Sequence, residues 1–230
     1  ELNLAAEAAA AVLTEAGVCA GDRVLMLSEN CATAVAMLFS CWKIDAVIIP
    51  VNARQTAAEV ARILDHATPA VVVTTSAASA DAATHAGRLS GKAVCGSFGD
   101  IHLATPFDSA PDAALNDVAV LLYTTGTTGD PKGVMLTHDN VRFGGMASAT
   151  LRHMTPEDLI YGVLPITHVF GLASVVTAAC YAGAAVRLET RFSAAKLFAA
   201  LQDGVTLLSA VPQMHALLMQ YTREQGLTAL

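Results

Sequence analysis

Charge is scarce in this chain, and positive charge is scarcer still. Only 14% of the 230 residues are Asp, Glu, Lys or Arg, and 13 basic against 20 acidic side chains leave a net charge of −7. With a pI near 5.4, the overall field draws in neither nucleic acid nor an anionic membrane, and neither is expected as a partner. The five cysteines, Cys19, Cys31, Cys41, Cys95 and Cys180, form no C-x-x-C pair and have no matching histidine spacing. They read as reduced, buried cytosolic thiols rather than disulfides or metal ligands. The chain opens at Glu1 with no initiator methionine, basic leader or cleavage site, so secretion is not expected and the start reads as cut. Internal repeats are also lacking.

What is there instead is apolar surface: 54% of the residues are hydrophobic, which points to strands covered on both faces. Apolar runs of strand length alternate with helical spacing along much of the chain. A helix is expected over 2–16, stopped by Gly17, then a strand at 23–27. A second helix is expected over 30–42, with Asn30 as N-cap and Val35, Leu38, Phe39 and Trp42 as its apolar stripe. A strand follows at 46–51, with Pro50 near an edge or turn. Thr56 and Glu59 have the spacing of a capping box for a third helix whose last turn exposes Asp65 and His66, and 70–74 is a third strand. This order predicts a parallel sheet with right-handed crossovers. Residues 75–111 carry weak signals: a helix near 80–89, one strand around Val94 and a long surface connection.

Past residue 115 the alternation resumes, with helices at 138–154, 193–201 and 212–221 and strands at 159–164, 184–188 and 205–208. The run Val169–Val186 has no charged residue and approaches the length of a membrane span. Gly171, Ser174, Thr177 and the Tyr181-Ala182-Gly183 stop make it a buried helix followed by a strand.

The most informative stretch is Tyr123–Lys132, YTTGTTGDPK, between the apolar run 118–122 and Gly133-Val134-Met135-Leu136. Four threonines and two glycines supply hydroxyls and accessible backbone N–H groups, Pro131 stiffens the exit and Lys132 adds one mobile charge. These are the properties of a polyphosphate cradle. Gly126 and Gly129 are three apart and Lys132 precedes Gly133, which is not the G-x-x-x-x-G-K-[ST] spacing. His168, in Leu164-Pro165-Ile166-Thr167-His168-Val169-Phe170-Gly171, sits at a strand-to-helix corner. In an open α/β sheet such a corner could face the same crevice as the threonine loop, although a lone histidine is more often structural.

The loop resembles the signature of the adenylate-forming superfamily: acyl-CoA synthetases, aryl-CoA ligases, luciferases and adenylation domains. Weaker matches follow in order: Gly17-Val18 with Gly21-Asp22-Arg23-Val24, Asn30, Pro50-Val51-Asn52, Leu164-Pro165 with His168 and Gly171, Arg191-Phe192-Ser193, Val205-Thr206 and Val211-Pro212. The implied fold is α/β, mostly parallel sheets with covering helices, as an incomplete N-terminal domain of such an enzyme. Its first part would be 1–115 and its second 116–230, opening with the phosphate loop.

The resemblance implies an ATP-dependent acyl- or aryl-CoA synthetase that forms an acyl-adenylate and passes the acyl group to CoA. ATP, Mg²⁺ and coenzyme A are the implied cofactors, and a small carboxylic acid, fatty or aromatic, is the substrate. Thr124, Thr125, Gly126, Thr127, Thr128, Gly129 and Lys132 would line the phosphates, with Thr124 helping to hold Mg²⁺. His168 would be the catalytic residue near the carboxylate, His168 and Phe170 would border the acyl pocket, and Arg191 would meet CoA. Tyr123 is expected to pack rather than react. The family's adenine segment, its metal-binding Glu motif, its ribose Asp and the C-terminal domain with a catalytic Lys have no counterpart here, so the chain is expected to be inactive alone. Loading of a carrier protein, oxidation of the adenylate and a non-catalytic nucleotide-binding module are the competing readings. A cytoplasmic location is expected, and a homodimer is left open.

Overall fold

The computed structural model describes residues 1–125 and 131–226. It comprises two compact units, Glu1–Val141 and Arg142–Leu230. The first holds a seven-stranded sheet in the order β4-β5-β3-β1-β2-β6-β7. β1 (Arg23–Ser28) pairs in parallel with β2 (Val47–Asn52) and β3 (Val71–Thr74), and β2 pairs in parallel with β6 (Val118–Thr125) at Ile48↔Val120. The connecting helices are α2 (Ala32–Lys43) and α3 (Ala57–Ala67), preceded by α1 (Leu2–Glu15). Burial is unbroken along β1, which is why its sequence is a continuous apolar run without the alternation of a half-exposed strand. One face packs Leu25, Leu27, Ile49, Val51 and Val72 against Val60, Ile63, Leu64 and Ala67 of α3.

Several local expectations are corrected. α2 begins at Ala32 with Cys31 as N-cap, two residues beyond the predicted start, and Asn30 is buried. Its buried face is Ala34, Met37, Leu38 and Cys41, one residue round from the predicted stripe. The alanine-rich α1 packs against α2 and its small side chains accept that face closely, while Phe39 and Trp42 flank it edge to face at 5.0 Å. Pro50 lies inside the sheet, in register with Met26, two residues before β2 ends at Asn52 and a turn follows. The β6 ladder is formed at Ile48, so the missing N–H of Pro50 falls past that pairing.

The segment 75–111 is more ordered than its composition suggests. After α4 (Ala80–Arg88) it forms two strands where one was expected, β4 (Lys92–Gly96) and β5 (Gly99–Ala104). They form a hairpin closing at Gly96↔Gly99, and β5 joins β3 antiparallel. Gly99 takes a φ of 105°, which the tight turn requires. β6 and β7 (Pro131–Thr137) extend this same sheet, and the first unit runs to Val141.

The capping box is formed: Glu59 N–H donates to Thr56 Oγ1, and Thr56 N–H donates to Glu59 Oε2 at 2.7 Å. Hydrogen bonds from Thr56 hold the Glu59 carboxyl below its ordinary value. The contribution of this carboxylate is therefore complete above its unfolded-state pKa of about 4.3 and is lost as pH falls below it. Thr56→Ala is expected to cost about 1 kcal/mol in urea titrations at neutral pH and less near pH 3; an equal cost at both pH values would count against the carboxylate's part.

The second unit holds a three-stranded parallel sheet, β10-β8-β9, made of β8 (Leu159–Gly162), β9 (Ala185–Leu188) and β10 (Leu207–Leu208). α5 (His138–Leu151) carries the boundary between the units, and α8 (Ala194–Gln202) and α9 (Pro212–Glu224) complete the second. The uncharged run forms α6 (Val169–Gly171), a π-helical turn (Leu172–Thr177) and α7 (Ala178–Ala182), closed by Gly183 at φ 72°. β9 follows, as predicted. Among the described residues no helix is long and apolar enough to cross a membrane.

Candidate functional site

In the first unit the threonine loop is carried by the antiparallel hairpin β6–β7, with Tyr123↔Gly133, Thr124↔Lys132 and Thr125↔Pro131 opposite one another. Residues directly opposite in such a pair project from one face, and successive residues from opposite faces. Thr124 and Lys132 therefore present hydroxyl and ammonium side by side, while Tyr123 points the other way. Both Thr124 and Lys132 are exposed, and no ion pair of Lys132 occurs among the described residues. The expected contacts of Gly126, Thr127, Thr128 and Gly129 lie outside the described residues. Thr125 is placed by its backbone pairing with Pro131.

Tyr123 packs against the core cluster of the first unit, as expected, but its hydroxyl is also hydrogen-bonded to His66 Nδ1 at 2.7 Å. Burial pushes the Tyr123 hydroxyl up from its ordinary pKa, against the opposing effect of the Arg23 charge. His66 does lie exposed on the last turn of α3. Its partner could not be anticipated, because 57 residues separate the two.

In the second unit His168 is the N-cap of α6. Its Nδ1 accepts the Phe170 N–H at 3.2 Å, which leaves Nε2 as the nitrogen that carries the ring proton. The His168 N–H donates to Pro165 O at 3.1 Å. Gly171 passes so close to this turn that a Cβ there would meet Pro165 O and lie 2.6 Å from Leu164 O. The Leu-Pro-x-x-His-x-x-Gly spacing thus has a local cause. The helix starts against the backbone it has just left, and His168 and Phe170 both emerge exposed at the corner.

Behind this corner Thr177 Oγ1 donates to Leu172 O and Ala173 O at 3.3 and 3.2 Å, within the π turn. Such turns often occur at functional sites. Arg152, which the sequence did not single out, donates to Ser174 O at 2.9 Å and Ser209 Oγ at 2.7 Å. It ties the end of α5 to the π turn and to the residue just past β10. Arg191 is exposed ahead of Ser193, the N-cap of α8. Among the described residues no group of three or more His, Cys, Asp or Glu could hold a metal ion.

Known proteins share both the sequence and this arrangement. Residues 1–229 match the AMP-binding enzyme family. The chain is 32% identical to a feruloyl-CoA synthase of an Amycolatopsis species over 92% of its own length and 43% of that protein's. It is 31% identical to 4-coumarate--CoA ligase 5 of Oryza sativa subsp. japonica, over 88% of the chain and 40% of the relative. It therefore spans less than half the length of these proteins. The crystal structure of apo MatB from Rhodopseudomonas palustris superposes with a TM-score of 0.76 at 28% identity, covering 96% of this chain and 45% of MatB. The ATP-bound form of MatB gives 0.74 at 27% identity, covering 94% and 44%. The family match takes in both sheets and the loop between β6 and β7, and the chain belongs to the AMP-binding enzyme family.

Proposed function

We propose that the chain carries the phosphate loop and one wall of the carboxylate pocket of an AMP-forming acid–thiol ligase, one that joins an acyl or aryl acid to CoA. The observation that carries this is the shared face of Thr124 and Lys132 at the mouth of a glycine- and threonine-rich hairpin. Adenylation needs the triphosphate held while a carboxylate attacks the α-phosphorus, which is a task of positioning and charge neutralisation. Lys132 supplies the charge, and the hydroxyls and N–H groups of residues 124–129 supply donors. Similarity to an ATP-bound structure supports this assignment, and the CoA ligases among the relatives favour CoA over a carrier protein as acceptor.

His168 holds a proton on Nε2 at an exposed corner and is assigned to the carboxylate, with Phe170 as apolar wall and Arg191 as a contact for CoA. Mg²⁺ would lower the charge of the triphosphate. The described residues fit it only through the Thr124 hydroxyl, consistent with a cation held mostly by phosphate oxygens and water. The test is ATP–pyrophosphate exchange in the full-length protein against a panel of aromatic and aliphatic acids. Exchange that depends on one class of acid is the expected result, and exchange indifferent to every acid would defeat the proposal.

A further inference from the structure

We infer that His66 is a positioning residue for the threonine loop, acting through Tyr123; the inference rests on the reading of that loop as a phosphate site. Tyr123 precedes Thr124 directly, so any shift of its ring is passed to the hydroxyl pair on the opposite face. Gly133 stands across from it, and a Cβ there would lie 3.4 Å from the tyrosine ring. A residue without a side chain thus lets the ring lie across β7 toward α3. There the hydroxyl meets His66 Nδ1 at 2.7 Å, and the rings stand edge to face at 5.7 Å.

The end of α3 that carries His66 is itself anchored. Arg23, at the start of β1, donates to Ala67 O at 3.2 Å and Thr68 O at 3.0 Å. Its Nη1 donates to Ala110 O at 2.8 Å, and the Nη2 that bonds Thr68 O also donates to Ser109 Oγ at 2.6 Å. A continuous series of contacts therefore runs from the sheet through Arg23, the helix end, His66 and Tyr123 to the loop stem. The pair borders an open cleft of about 420 Å³ whose walls include Arg23, Thr68 and Met135. On that side the hydrogen bond faces the cleft. A misplacement of about 1 Å at a reacting group can cost orders of magnitude in rate, so a single latch on the stem is worth more to function than to folding.

The test is a double-mutant cycle on acid-dependent ATP–pyrophosphate exchange in the full-length protein. His66→Ala and Tyr123→Phe remove the same hydrogen bond. Each is expected to lower kcat/KM for ATP by about 5-fold while leaving KM for the acid unchanged, and the double variant is expected to be no worse than either single one. His66→Asn, which keeps a polar group near the Nδ1 position, is expected to recover most of the loss. Effects that multiply in the double variant, an unchanged kcat/KM for ATP, or no recovery with Asn would each overturn the latch. Lys132→Ala separates the two levels: a defect there with normal His66 variants sinks only the latch, whereas no defect there sinks the phosphate-loop reading itself.

Discussion

Lys132→Ala is expected to lower the rate of adenylate formation by about 100-fold or more, with little change in the affinity for the carboxylic acid. The magnitude follows from what one well-placed donor or charge contributes when negative charge builds up in a transition state. The geometry sharpens the expectation. Lys132 is paired across the hairpin with Thr124, the two project from one face, and no carboxylate pairs with Lys132 among the described residues. Lys132→Arg should recover only part of the rate, because a planar fork does not reproduce a compact ammonium at the same point. The measurement is ATP–pyrophosphate exchange at saturating acid, and an alanine variant within about threefold of the parent would remove Lys132 from the site.

Gly171→Ala should have the largest effect on folding, a loss of about 2–3 kcal/mol. The added methyl group would meet the backbone carbonyls of Pro165 and Leu164, and backbone, unlike the far end of a side chain, has little room to yield. The helix start would be driven off the turn that seats His168, whose N–H bonds the same Pro165 carbonyl. Gly87→Ala is the control, since a Cβ at Gly87 in α4 meets nothing within 4 Å. There alanine should be neutral or stabilising by up to about 1 kcal/mol through helix propensity and a less flexible unfolded chain. Urea midpoints of the two variants check both statements, and equal midpoints would show that the close approach at Gly171 is relieved at no cost.

These contrasts show which parts of the molecule are legible from residue order. Unbroken apolar runs such as Val24–Leu27 and Val71–Val73 marked buried parallel strands because burial on both faces leaves no polar alternation. The Thr56–Glu59 capping box was legible because its two partners are three residues apart and need nothing from the rest of the fold. The Thr/Gly/Lys loop was legible for the same local reason. Pro50 marked the approach of a turn, but its place inside the sheet was not legible, because that depends on where a neighbouring ladder has formed. The 92–104 hairpin was half seen because Gly96-Ser97-Phe98-Gly99 is a weak turn signal until β3 offers β5 an edge.

Taken alone, then, the order of residues determined that the chain alternates strands and helices, that a Thr/Gly/Lys loop follows the apolar run 118–122, and that a histidine stands at a later strand-to-helix corner. Each of these is a statement about neighbours in sequence, where periodicity, capping and turn chemistry act over a few residues. Only the tertiary structure decided that Tyr123 reaches His66, that Arg152 ties the π turn to Ser209, and that the first sheet runs on through β7. Those contacts join residues tens of positions apart, and such pairs become neighbours only once the apolar faces of strands and helices have been buried together.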